Sequence, residues 1–116
     1  MDSKVRARRA IKLKGILPNT VSWVRTLKDG RIELEYYDRR VGAEDHFGGD
    51  VAWMLRISAS EQLRLYELLE RRARTAITND RTMLDALGDT FSDAWAVRDW
   101  LKENGIPFEE EFDSWP

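Results

Sequence analysis

The stretch DVAWMLRISASEQLRLYELL, Asp50 to Leu69, decides the fold. Val51, Trp53, Leu55 and Ile57 alternate with Ala52, Met54 and Arg56, a period of two that predicts a strand with one buried face. Ser58 and Glu61 have the spacing of a Ser-x-x-Glu capping box, so a helix is expected to begin at once. Leu65, Leu68 and Leu69 follow at helical spacing, and Ala73, Ala76 and Ile77 extend the stripe. A strand and a helix from about Ala59 to Ile77 therefore stand at the centre, and the other segments cover them.

Upstream, residues 4–14 also alternate. Val5, Ala7, Ile11 and Leu13 share one parity, interrupted by Arg9, while Lys4, Arg6, Arg8, Lys12 and Lys14 share the other. This predicts an edge strand with a basic side, preceded by a flexible arm over residues 1–9; lysines on an edge discourage unwanted pairing. Pro18 and Asn19 mark a turn. Val21 to Lys28 and Arg31 to Tyr37 flank Asp29-Gly30, a hairpin signal. A two-residue turn here sets Leu27 opposite Ile32, Arg25 opposite Leu34 and Trp23 opposite Tyr36, the last an aromatic pair on the core face. Residues 38–49 read as a polar, glycine-rich loop.

Downstream, Asn79 or Asp80 is expected to cap a short helix carrying Met83, Leu84 and Leu87 and ended by Gly88. Thr90 then opens a third helix, whose Phe91, Ala94, Val97 and Leu101 share a face. Asn104-Gly105-Ile106-Pro107 has the form of a Schellman ending. Phe108 to Phe112 is compatible with a last short strand at an edge. Strands first and helices afterwards define an α+β domain over 1–116: an antiparallel sheet of about four strands, an N-terminal meander, covered on one face by three helices.

Composition bounds the function. The chain of 116 residues is 42% hydrophobic and 34% charged, which is globular rather than disordered. It has no Cys, which excludes disulfides, thiolate metal sites and a Cys nucleophile. No apolar run is long enough to span a bilayer, and the basic N-terminus lacks the apolar core of a secretory signal, so a cytoplasmic protein with no membrane partner is expected. Net charge is −2, but six cations against Asp2 give residues 1–15 a charge of +5 and leave −7 on the remainder.

Three groups of residues carry the candidate chemistry. Glu44, Asp45, His46 and Asp50 combine carboxylates with the only imidazole, a set able to bind a divalent metal or move protons. Their spacing fits no calcium loop or two-histidine zinc motif, and Phe47-Gly48-Gly49 gives a structural reason for the loop. Hence no catalytic residue, metal ligand or cofactor is assigned. The basic group Lys4, Arg6, Arg8, Arg9, Lys12 and Lys14 suits phosphate contacts but has no interleaved aromatics for base stacking. The acidic group Glu109, Glu110, Glu111, Phe112, Asp113 and Trp115 suits a basic protein surface, since complementary charge speeds encounter and selects partners. The ordinary reading of either charged group is a solvated face.

Size and layout resemble those of small bacterial interaction proteins, including immunity and inhibitor proteins. The leading expectation is a non-enzymatic protein that binds another protein through its acidic and aromatic surface. Nucleic-acid association through the basic arm is the alternative, and an enzyme or metal binder around His46 ranks third.

Overall fold

A computed structural model describes residues 6–15, 18–39 and 50–115, with the side chains of 39, 50 and 113–115 outside that description. Glu44, Asp45, His46 and Lys4 therefore lie outside the described part, as do the side chains of Asp50, Asp113 and Trp115.

Among the described residues five strands form one antiparallel sheet in sequence order: β1 (Ala7–Lys12), β2 (Thr20–Leu27), β3 (Ile32–Arg39), β4 (Asp50–Ile57) and β5 (Glu109–Trp115). Three helices connect β4 to β5: α1 (Gln62–Ala73), α2 (Asp80–Thr90) and α3 (Ala94–Glu103). The fold is the expected α+β arrangement, with the C-terminal segment supplying a full fifth strand beside β4. Trp53, Leu55 and Ile57 point to one side of β4 and are buried, as their alternation requires. They meet Leu65, Leu69, Val97 and Leu101 in a single core with Met83, Leu84 and Leu87.

The β2–β3 hairpin departs from expectation by one residue. Leu27 N–H donates to Arg31 O at 2.9 Å and Gly30 N–H to Leu27 O at 3.0 Å, so the loop holds Lys28, Asp29 and Gly30. Gly30 has φ +92°, the left-handed residue of a three-residue hairpin. A Cβ there would also lie 3.0 Å from Ala59 Cβ. The extra loop residue slips the register, and a slip of one exchanges the faces of a strand. Val24 now opposes Leu34 in the core, whereas Trp23 opposes Glu35 on the outer face. The expected Trp23–Tyr36 pair is thus absent; Tyr36 sits beside Trp53 instead.

The slip turns Ser22 and Thr26 inward, where each serves the start of a helix. Ser22 Oγ accepts the N–H of Ala94, the first residue of α3, at 3.1 Å. Thr26 Oγ1 donates to Asp80, the first residue of α2, at 3.1 Å. Two buried hydroxyls that oppose the apolar pattern are satisfied by backbone and side-chain groups that a helix start leaves open.

Helix boundaries also differ. Ser58 precedes a 3-10 turn, Ala59–Glu61, and its hydroxyl meets Ser60 Oγ at 2.7 Å rather than capping a helix. The turn delays α1 to Gln62. Arg74 adopts φ +56° and ends α1, so Ile77 reaches the core from a loop, its N–H donated to Glu70 Oε2 at 2.9 Å. Asn79 caps α2 in a reciprocal box with Thr82, as its position suggests. The helix then runs through Gly88 to Thr90. Gly88 is not a stop: a Cβ there would stand 3.1 Å from Ile11 Cδ1, so the glycine lets β1 lie close to α2. Asp93, rather than Thr90, caps α3, its Oδ1 accepting from Ala96 N–H at 3.0 Å. The end of α3 has both Schellman bonds, Ile106 N–H to Leu101 O at 3.0 Å and Gly105 N–H to Lys102 O at 3.2 Å.

Candidate protein-binding edge

β5 is the last strand of the sheet, and among the described residues no strand pairs with its far side. Its register divides the acidic run. Glu110 and Phe112 oppose Leu55 and Trp53 on the helix-covered side; Glu109 and Glu111 oppose Arg56 and Met54 on the open side. The three glutamates therefore do different things, as period-two geometry demands.

Glu110 is bound into the fold. Its Oε2 accepts from Trp53 Nε1 at 2.7 Å and from Arg98 Nε at 2.8 Å, and Oε1 accepts from Arg98 Nη2 at 3.2 Å. The Arg98 hydrogen bonds hold its carboxyl below the usual range against the opposing effect of desolvation, with the Trp53 bond adding to the depression. Arg98 also lies 5.9 Å above the Trp95 ring, and Trp95 stacks on Trp53 at 4.4 Å. A row of aromatics, Tyr36, Trp95 and Trp53, thus leads across the sheet towards Phe112. Phe112 itself is 66% exposed, one of two large apolar side chains so placed among the described residues; Leu63 on α1 is the other.

Glu111 ends an ionic line on the open face. Glu35 accepts from Arg25 at 2.7 Å, Arg25 reaches Glu33 at 3.4 Å, Arg56 donates to Glu33 at 2.9 Å and to Glu111 at 3.0 Å. Burial works against the Arg56 charge, but the bonds to Glu111 and Glu33 outweigh it and raise its pKa. The Glu111 side chain remains 62% exposed. Glu109 is exposed and forms no ion pair among the described residues.

At the opposite edge, β1 carries the basic group. The ladder is regular from Arg9 onward, so Arg9 lies on the helix side with Ile11, and a bulge interrupts it between Ala7 and Arg9. Arg8 and Arg9 approach the two oxygens of Asp80 at 3.4 and 3.3 Å, a carboxylate that Thr26 also contacts. The arginine that breaks the apolar parity thus meets an acid, yet nothing in the pattern names Asp80 as that acid. Arg6, Lys12 and Lys14 are exposed. A small cavity of about 180 Å³ beside Asp80 is lined by Arg8, Gln62, Tyr66 and Asn79. Burial raises the Tyr66 pKa, opposed by its bond from Gln62. A wider groove of about 400 Å³ runs between β1 and α2, walled by Arg8, Arg9, Arg81 and Asp85 over Ile11 and Leu84.

Among the described residues no cluster of three or more His, Asp or Glu has a metal-binding arrangement, and no helix is long and apolar enough to cross a membrane. Comparison with protein-family models, curated proteins and solved structures finds no match for this chain.

Proposed function

We propose that the protein is a non-enzymatic binding module, of inhibitor or immunity type, that holds a cationic segment of another protein along β5. One observation carries this reading: on a strand edge that no other strand pairs among the described residues, the exposed Phe112 stands on the helix-covered side and the exposed Glu109 and Glu111 on the open side. An edge offers main-chain donors and acceptors to an added strand, and alternate side chains then select its sequence. The glutamates speed encounter with a basic partner, and an aromatic anchor prolongs the contact. Glu110 is excluded from the recognition set because Arg98 and Trp53 occupy its carboxylate. Nucleic-acid association through β1 has weaker support, since Arg8 and Arg9 face Asp80.

A short synthetic peptide alternating lysine with valine tests the proposal. Titration followed by amide NMR should perturb β5 before other strands. Glu109→Gln with Glu111→Gln should slow association, and Phe112→Ala should speed dissociation. Uniform shifts over the sheet, or unchanged rates in both variants, would refute it.

A further inference from the structure

The two edges of the sheet are complementary to each other. β5 presents Glu109, Glu111 and the exposed Phe112. β1 presents Lys12 and Lys14, and the groove beneath it, lined by Arg8, Arg9 and Arg81 against a single acid, Asp85, has Ile11 and Leu84 as its apolar part. Phe112 is on the helix-covered side of the sheet, and the β1–α2 groove is on that same side.

We infer that β5 of one copy of this chain docks beside β1 of a second copy, seating Phe112 in the groove between β1 and α2. The inference rests on the proposed role of β5 and names its partner. Five strands alternating in direction leave β1 and β5 running the same way. A sheet continued with its helices on one side therefore joins them in parallel. That arrangement keeps Phe112 on the groove side and sets Glu109 and Glu111 on the side of Lys12. The bulge at Ala7/Arg9 twists the start of β1 away, so pairing is confined to the flatter part from Ala10 onward.

Charge selects this contact over the symmetric ones. A two-fold pairing of β5 with β5 sets glutamates against glutamates, and β1 with β1 sets cations against cations; like charges across a ladder are destabilising. Only the unlike edges attract. Such a contact is head-to-tail, so it propagates into a chain or closes into a ring rather than stopping at two copies.

Sedimentation velocity of the full chain at about 0.01 M and about 1 M salt reads the contact, because screening shortens from roughly 30 Å to roughly 3 Å. At low salt the average mass should rise with concentration beyond twice the 13.6 kDa of one chain, and at high salt return to it. Glu109→Lys with Glu111→Lys should remain monomeric, as should Lys12→Glu with Arg81→Glu. An equimolar mixture of these two variants, each confirmed folded by circular dichroism, should regain the higher mass. A wild-type mass of one chain at every concentration, or association that survives both reversals, overturns the inference. The lysine–valine peptide separates the two ideas: if it binds β5 while the wild type stays monomeric, the inference fails and the proposed function stands. If it neither binds nor finds an assembly to dissolve, both fail.

Discussion

The indole of Trp53, 2% exposed, donates its N–H to the Glu110 carboxylate at 2.7 Å, and Arg98 closes on that carboxylate from α3. One side chain thereby joins β4, β5 and α3. Replacing it with alanine leaves a buried donor without its acceptor, which costs roughly 1–3 kcal/mol. Urea unfolding of Glu110→Ala should show a loss in that range. A change under about 0.5 kcal/mol, typical of surface positions, would mean that the joint contributes nothing.

Acid should undo the same joint. The Glu110 carboxyl is held below its unfolded value, chiefly by Arg98. Its stabilisation is complete above the unfolded glutamate range, near pH 4.3, and is lost as pH falls through the lower folded value. The stability difference between wild type and Glu110→Gln should therefore be largest near neutrality and shrink on acidification. A difference that stays constant from neutral to strongly acid solution would assign the stabilisation to some other group.

Leu69 is fully buried in the core that also holds Leu55 and Trp53. Leu69→Ala should cost on the order of 2–5 kcal/mol in denaturant unfolding, the range for buried leucines that leave a cavity. A surface-like cost would remove α1 from the core.

Asp80 holds β1 to α2 through Arg8 and Arg9 and to β2 through Thr26. Asp80→Ala should cost roughly 1–3 kcal/mol, because Thr26 is left buried without its partner. Hydrogen exchange should quicken in β1 more than in β3. Equal acceleration in the two strands would show that Asp80 supports the whole molecule rather than this edge.

How far the sequence could be read depended on whether a local rule had competitors. Trp53, Leu55 and Ile57 carry the only strongly apolar face of their strand, and the Schellman glycine at 105 leaves few conformations, so both were legible. β2 was not. Val21, Trp23 and Leu27 outbid Val24 as an apolar face, but Asp-Gly also fits a three-residue loop, and the helix starts supply partners for inward Ser22 and Thr26. Tertiary contacts settled what the pattern left open. The candidate edge was legible in part. Glu109 to Phe112 stood out by composition, yet treating the glutamates as one patch overlooked the strand period that sets Glu110 on the helix side, within reach of Arg98. Arg98, which holds Glu110, and Arg56, which holds Glu111, lie on other elements that no short motif connects.

The order of connections has a consequence for how the molecule assembles. β2, β3 and β4 are neighbours along the chain as well as in the sheet, whereas β5 reaches β4 only after three helices. Closing so large a loop is entropically slower than zipping a hairpin, so the acidic strand should dock after the meander and the helices have formed. Its ladder, like that of β1, is also held from one side only, which makes it cheaper to reopen than the pairings inside the sheet. The surface proposed to receive a partner would then be the last to be completed during folding and among the first to be surrendered under stress, and a partner bound there would stabilise the chain by closing its final seam.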